Sequence, residues 1–241
     1  MLLLLLKELL PENSSLSITF QDCKYLIKEL GCSYEKIHAC LNDCILFWKE
    51  HENEETCPKC GVSRYKERCL NIKKKVSCKV VSPSVPAKVL RYFPLKPRIK
   101  KLYMSSKIVD SMKWHEKGHT NDGKLRHPAD SLAWKTFDSL HPDFALDPRN
   151  VKLGLASDGF NPYKTMSSKY SIWPVVLMSY NLPPWACMKQ PYLMLSLLIP
   201  GPSYPKSSID VYLKPLVDEL KELWEKGFET YDASSKQSFN V

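Results

Sequence analysis

The chain has 241 residues, of which 44% are hydrophobic and 25% are charged, and its formal net charge is +9. This composition suits a globular protein of one or two domains. No run of about 18 apolar residues is present, which excludes a transmembrane helix from the sequence. The leucine run at positions 2–6 is too short for a secretory signal, since Lys7 and Glu8 interrupt it.

The charge is distributed unevenly along the chain. Residues 1–60 carry 6 basic and 10 acidic side chains, residues 61–135 carry 19 and 5, and residues 136–241 carry 10 and 11. A strongly basic middle third between near-neutral flanks is typical of a protein that binds a polyanion such as DNA. The alternative interpretation is a solvated basic linker.

Four segments are predicted in chain order, and the first two are a helical N-terminal remnant (1–38) and a zinc-binding segment (39–64). The second segment contains Cys40-x3-Cys44 and Cys57-x2-Cys60. Two close thiol pairs separated by a short loop are what a tetrahedral Zn²⁺ site requires, and four thiolates leave no position open for catalysis. The predicted zinc is therefore structural. His38 or His51 could replace one cysteine, and the alternative is four free thiols in a loop.

The number of cysteines, nine, also indicates the redox state of the cellular compartment. An odd number argues against a complete disulfide framework, so a reducing intracellular compartment is expected.

The third segment, 65–149, is predicted to be a basic linker followed by a helical, DNA-facing region. Its proline-punctuated part is expected to be extended, and helices are predicted over 98–117 and 128–140. Aromatic residues between the cations either pack in a core or stack on bases. His115, His119 and His127 match no metal-ligand spacing. The candidate phosphate-binding side chains are Lys73, Lys74, Lys75, Lys88, Arg91, Lys96, Arg98, Lys100 and Lys101.

In the fourth segment, residues 150–241, the hydrophobic pattern changes to one typical of strands. Strands are predicted at 151–157, 170–180 and 192–199, and the last two are nearly continuous apolar runs, as in strands covered on both faces. A long amphipathic helix is predicted over 208–226. The order strand, strand, strand, helix favours a mixed sheet with helices, which is an α/β (α+β) fold class.

Asp158 directly follows the first of these strands. A carboxylate at the end of a buried strand is a natural ligand for Mg²⁺, which prefers oxygen, and phosphoryl-transfer sites hold their metals with several carboxylates. Taken alone, the Asp-Gly pair at 158–159 is only a turn signal.

The chain resembles the plant CACTA (En/Spm-type) transposases over roughly residues 3–241. The resemblance is carried by nine segments: YEKIHACLNDC at 34–44, CPKCGVSR at 57–64, PAKVLRYFP at 86–94, RHPADS at 126–131, LASDGFNP at 155–162, SIWPV at 171–175, NLPPW at 181–185, LSLLIPGP at 195–202 and TYDAS at 230–234.

The resemblance implies a ribonuclease-H-like catalytic domain with an Asp-Asp-Glu triad that uses Mg²⁺ to cut and join DNA in the nucleus, with DNA and possible further transposase subunits as partners and no membrane. Asp158 corresponds to the first aspartate of the triad. The second aspartate and the glutamate are expected beyond residue 241, so residues 150–241 would be the N-terminal half of that domain. Asp232 is the one tempting substitute, but no apolar strand leads into it.

Two expectations follow from an incomplete catalytic domain. The strand at 151–157 would be an open apolar edge, because the strand that pairs with it in this topology would be missing. The chain would be a catalytically incomplete transposase-derived fragment. The alternative is a non-catalytic zinc-containing module, co-opted from a transposon, that binds DNA or protein.

Overall fold

A computed structural model describes residues 33–66, 68–72, 75–79, 85–118, 120, 122–163 and 170–241, together with Gln21 and Tyr25. The strands are β1 (Glu35–Ala39), β2 (Leu46–Phe47), β3 (Arg68–Ile72), β4 (Lys75–Lys79), β5 (Lys88–Tyr92), β6 (Leu153–Ser157), β7 (Trp173–Ser179), β8 (Met194–Ile199), β9 (Glu229–Asp232) and β10 (Gln237–Asn240). The α-helices are α1 (Lys96–Met104), α2 (Trp114–Lys117), α3 (Leu132–Leu140), α4 (Pro142–Leu146), α5 (Pro184–Cys187) and α6 (Ile209–Lys226).

One six-stranded sheet organises the molecule, in the order β2-β1-β5-β8-β7-β6, and every neighbouring pair in it is antiparallel. The strand pairs β3–β4 and β9–β10 form two separate antiparallel hairpins. The fold is therefore a mixed α/β arrangement with a mostly antiparallel sheet. The three strands predicted in the fourth segment are β6, β7 and β8, and they lie side by side.

The core lies on one face of this sheet. The register pairs Val175 of β7 with Leu197 of β8, and Leu197 with Tyr92 of β5, and all three side chains are buried. Helix α6 covers this face with Tyr212 and Leu216, which are also buried. The apolar runs in β7 and β8 thus supply the centre of the sheet.

Residues 35–38 had been assigned to the helical N-terminal remnant, and that was wrong, because they form most of strand β1, which belongs to the same sheet as β5 of the basic region. Strand β1 pairs with all five residues of β5, from Glu35 opposite Tyr92 to Ala39 opposite Lys88. The sequence had indicated only an extended stretch here. Its strand pattern is weak, because just Leu90 and Tyr92 of β5 are buried.

The helices predicted in the third segment are present but shorter. The region predicted as one helix over 98–117 contains α1, a 3-10 turn at Val109–Lys113 and α2. Helix α3 begins after Ser131, whose hydroxyl accepts the Trp134 N–H at 3.2 Å. Leu140 ends this helix with its side chain 70% exposed, so the apolar residue at the end of the helix does not face the core.

Strand β6 forms one end of the sheet and, within the described residues, pairs with β7 only. Leu155 lies opposite the buried Leu177, yet it is 53% exposed. An apolar strand with a free ladder side is open to further pairing. In the described ranges, no helix combines the length and apolarity needed to cross a bilayer.

Glu219 joins α6 to the start of α1. Its carboxylate accepts the backbone N–H groups of Leu95 and Lys96 at 2.9 to 3.0 Å, and it also accepts the hydroxyl of Tyr92. The first N–H groups of a helix have no partner within the helix, and a carboxylate is a favoured partner for them. Burial, helped by the nearby Glu219 charge, raises the pKa of Tyr92, so the phenol stays a donor.

We expect Glu219→Ala to lower the free energy of unfolding by about 2 kcal/mol, because it leaves a buried phenol and two helix N–H groups without their acceptor. Urea unfolding followed by circular dichroism measures this loss. Glu225→Ala changes an exposed carboxylate on the same helix and serves as the control. Equal stabilities for the two variants would contradict the capping role of Glu219.

Candidate metal centre and strand-end acid

Four cysteines converge between β1 and the turn that follows β2. Cys40 and Cys44 flank the loop that joins β1 to β2, where Asp43 adopts a positive φ of 60° and donates its N–H to the Cys40 carbonyl at 3.0 Å. Cys57 and Cys60 lie on a second turn, which Gly61 closes with a φ of 71° and an N–H bond to the Cys57 carbonyl at 2.7 Å. The glycine supplies the left-handed backbone that this turn needs.

The four Sγ atoms all lie within 4.8 Å of one another, and those of Cys40 and Cys60 are 3.5 Å apart. Zinc–sulfur bonds of about 2.3 Å in a tetrahedron place sulfurs about 3.8 Å apart. The cluster therefore could bind a metal such as zinc. His38 and His51 lie outside the cluster, since His38 Nδ1 accepts from Arg64 Nε at 2.9 Å and His51 contacts Glu54.

Backbone groups around the cluster favour thiolates. The Asn42 N–H points at Cys40 Sγ at 3.4 Å, and the backbone N–H of Val62 is the main cause that lowers the pKa of Cys60 to about 7. Burial, in contrast, raises the pKa of Cys40. A bound cation would offset that cost, because metal ligation requires the deprotonated form of each cysteine.

The cluster is anchored to α6 through Asp43. The Asp43 carboxylate forms a salt bridge with Lys88 of β5 and accepts the hydroxyl of Tyr212, which is fully buried. Two further ion pairs, Lys49–Asp218 and Glu50–Lys214, join the same segment to the helix. The loop between β1 and β2, which carries Cys40 and Cys44 and which we call the metal loop, is thus packed against α6.

We expect the protein, purified without chelator, to carry one zinc ion per chain, and Cys57→Ser to lose it, because each thiolate supplies one of four ligands. Loss of metal should lower the melting temperature, since metal binding stabilises the folded state. Elemental analysis and thermal unfolding measure both effects. Cys187→Ser, which changes a buried cysteine outside the cluster, should keep the metal, and a metal-free wild-type protein would contradict the site.

Asp158 lies at the end of β6 and is exposed. Its Oδ1 accepts the Gly159 N–H at 2.7 Å. A Cβ at position 159 would come within 2.7 Å of Ser171 Oγ and the Trp173 indole, so only glycine fits at this close approach. Among the described His, Cys, Asp and Glu residues, Asp158 is in no group of three or more that could share a metal ion.

Asp232 lies at the end of β9 and its side chain is 1% exposed. Its carboxylate contacts Lys113 Nζ at 2.9 Å, the Ser234 hydroxyl at 2.7 Å and Arg149 at 3.9 Å. Arg149 precedes β6 whereas Asp158 follows it, and the five residues of β6 alone span about 17 Å. Asp232 and Asp158 therefore lie at opposite ends of β6. The sequence missed the strand before Asp232 because only Thr230 and Asp232 are buried in β9.

Asp232 is expected to make stability depend on pH. Burial alone would raise its pKa, but the Ser234 and Lys113 donors outweigh burial and hold the pKa well below its ordinary value. A depressed folded-state pKa stabilises the fold above the unfolded value of about 3.9, and this contribution is lost as the pH falls below it.

We expect Asp232→Asn to lower the free energy of unfolding by about 3 kcal/mol at pH 7, because it leaves the Lys113 ammonium, itself largely buried, without its counterion. The difference from wild type should shrink as the pH falls below about 3.9, because the unfolded wild-type chain then takes up a proton on Asp232 that the folded protein, with its depressed pKa, does not. Urea titrations at several pH values measure this. A constant difference would contradict the ion-pair explanation, and the exposed Asp110→Asn provides the control.

The described cations of the basic region divide into two groups. Lys88 is engaged by Asp43, Lys96 lies 5.8 Å from the centroid of the Phe228 ring, and Arg98 donates to the Leu195 carbonyl at 2.7 Å. Arg91, Lys100 and Lys101 are partly exposed. Lys73 and Lys74 lie outside the described residues, and Lys75 begins β4.

The aromatic residues between these cations and the neighbouring histidines are mainly packing groups. Tyr92 and Tyr103 are buried in the core, which favours packing over base stacking for both. His127 packs against Trp114 with ring centroids 5.1 Å apart, and its Nδ1 accepts the Ala129 N–H. His119 lies outside the described residues.

Comparison with known proteins gives one positive result. Residues 122–241, which include β6 with Asp158, β7, β8 and α6, match the sequence model described as transposase family tnp2. Comparison with curated proteins found no significant match, and comparison with solved structures found none either. The family match supports the assignment of this chain to a transposase family.

Proposed function

We propose that the chain is part of a plant CACTA (En/Spm-type) transposase that acts on DNA in the nucleus, together with further transposase subunits. The observation that carries the proposal is the tnp2 family match over residues 122–241, within which Asp158 directly follows β6. In support, three adjacent antiparallel strands followed by a long helix are the order expected for the first half of a ribonuclease-H-like domain.

In this proposal Asp158 is one acid of an Asp-Asp-Glu set. Its exposed carboxylate has one oxygen engaged by Gly159, which leaves the other oxygen free to hold Mg²⁺. When bound, Mg²⁺ would supply charge stabilisation at the attacked phosphate. One carboxylate does not make a two-metal site, so the remaining acids would come from outside the described residues.

The alternative function is a non-catalytic module, co-opted from a transposon, that binds DNA or protein around a structural zinc. Two observations favour it. Four thiols converge on a compact cluster, whereas Asp158 belongs to no comparable group of three ligands in the described ranges. The first proposal and the DNA-binding form of this alternative both use the basic region, and they differ in whether Asp158 has a role in strand cleavage.

We expect the 241-residue chain to bind duplex DNA with an affinity that falls steeply with salt, because phosphate contacts release counterions. Arg91→Ala and Lys100→Ala should each weaken binding and reduce the salt slope by about 1, as expected when one phosphate contact is lost. Fluorescence anisotropy across salt concentrations measures this. Lys221→Ala, an exposed cation on α6, is the control.

The catalytic part is tested on the same DNA with Mg²⁺. We expect no strand cleavage by the chain alone, and unchanged duplex affinity in Asp158→Asn. Mg²⁺-dependent cleavage that Asp158→Asn abolishes would show a complete catalytic set and contradict the non-catalytic alternative. Salt-insensitive binding, or no binding, would contradict the DNA-binding function itself.

A further inference from the structure

Cys69 and Cys78 lie opposite one another in the β3–β4 hairpin. The register of the two strands pairs Cys69 with Cys78, three pairs away from Ile72 and Lys75, which border the turn. Residues that are directly opposite in an antiparallel pair lie on the same face of the two strands. The candidate metal centre uses four other cysteines, so the site described above leaves this pair without a role.

The length of the turn determines which kind of pair the two cysteines form. Only two residues, at positions 73 and 74, connect β3 to β4. A two-residue connection closes on a pair that shares backbone hydrogen bonds, which here is Ile72 with Lys75. Hydrogen-bonded and non-hydrogen-bonded pairs alternate along an antiparallel ladder. Cys69 and Cys78 are therefore a non-hydrogen-bonded pair, in which the two Cα atoms are about 4.5 Å apart.

A Cα separation of this size allows a disulfide and also favours its reduction. Cα atoms joined through a disulfide are usually about 4.4–6.8 Å apart, and most often about 5.5–6 Å. The cysteine pair lies inside this range but at its short end, and bonds away from the preferred geometry are more easily reduced. A bond that opens under reducing conditions is compatible with the reducing compartment that the cysteine count favours.

The pairing of β3 with β4 would gain from a covalent link. Within the described residues, these two strands pair only with each other, and a two-stranded hairpin by itself is marginally stable in water. Arg68 is opposite Lys79, and like charges directly opposite one another destabilise a strand pair. A disulfide at the next pair inward would hold the strands together against this repulsion.

We propose that Cys69 and Cys78 form a reversible disulfide that closes the β3–β4 hairpin when the surrounding glutathione becomes oxidised. One thiolate attacks a sulfur of oxidised glutathione, which forms a mixed disulfide and releases one glutathione. The other cysteine then attacks the protein sulfur of the mixed disulfide and releases the second glutathione. The two protein thiols lose two electrons and two protons, and oxidised glutathione becomes two reduced molecules.

Peptide mapping tests the proposal directly. Trypsin cuts after lysine and arginine, so it separates the two cysteines into the peptides CLNIK at 69–73 and VSCK at 76–79. The 241-residue chain, purified without chelator, is equilibrated with oxidised or reduced glutathione, its free thiols are alkylated, and the digest is analysed by mass spectrometry. We expect the two peptides to be joined after oxidised glutathione, and separate and alkylated after reduced glutathione.

A matched variant moves one thiol by a single position. Ser77→Cys combined with Cys78→Ser places the second cysteine on the face opposite to Cys69, because successive residues of a strand alternate between faces, so the joined peptide should be lost. Cys187→Ser changes a buried cysteine elsewhere in the fold and should leave the joined peptide unchanged. Hydrogen exchange of residues 68–79 should slow when wild type is oxidised and stay unchanged in Cys69→Ser.

Three results would overturn the proposal. The first is glutathione attached to Cys69 and Cys78 separately, with no joined peptide. The second is a joined peptide recovered only from covalent dimers, and the third is an equal yield of joined peptide from wild type and the variant with the shifted thiol. None of these measurements involves DNA, so they test the disulfide independently of the proposed function.

Discussion

The contact of α6 with β5, β8 and the metal loop, which is the cysteine-bearing loop between β1 and β2, is the interaction on which the rest of the structure depends. Glu219 caps α1 and accepts the hydroxyl of Tyr92, while Tyr212 and Lys88 hold the carboxylate of Asp43. One helix therefore fixes the cysteine loop, the start of α1 and the core face of the sheet. Because these polar groups are buried or half-buried, removing one partner leaves the other without an acceptor or a counterion, which costs more than the bond contributes.

The sheet also determines how far the metal loop lies from Asp158, the acid at the end of β6. Asp158 lies at one end of β6, the edge strand, while the metal loop contacts β5 on the other side of β8 and β7. The candidate zinc centre and the candidate catalytic acid are therefore separate in space, which fits a structural metal rather than one that shares a reaction with Asp158. The sheet joins them as one rigid support.

The sequence was informative where periodicity and spacing are strong. The apolar runs of β7 and β8 and the amphipathic pattern of α6 predicted these elements within a few residues, and the cysteine spacing predicted a cluster whose sulfurs are close enough to share a metal. The sequence was uninformative where the role of a charged residue depends on partners that are far away along the chain. Lys88 looked like a phosphate ligand, and only the fold shows that Asp43 engages it. Asp232 looked isolated, because Lys113 is 119 residues away and Arg149 is 83 residues away in sequence.

Asp43 and Tyr212 are separated by 169 positions in the chain. During synthesis the cysteine loop therefore leaves the ribosome long before the helix that anchors it, and contacts of such high sequence separation form late. At about 5–20 residues per second the interval is roughly 10 to 30 seconds. A metal captured early would hold the loop in its native shape through that interval, so zinc would act on the order in which the chain folds as well as on its final stability.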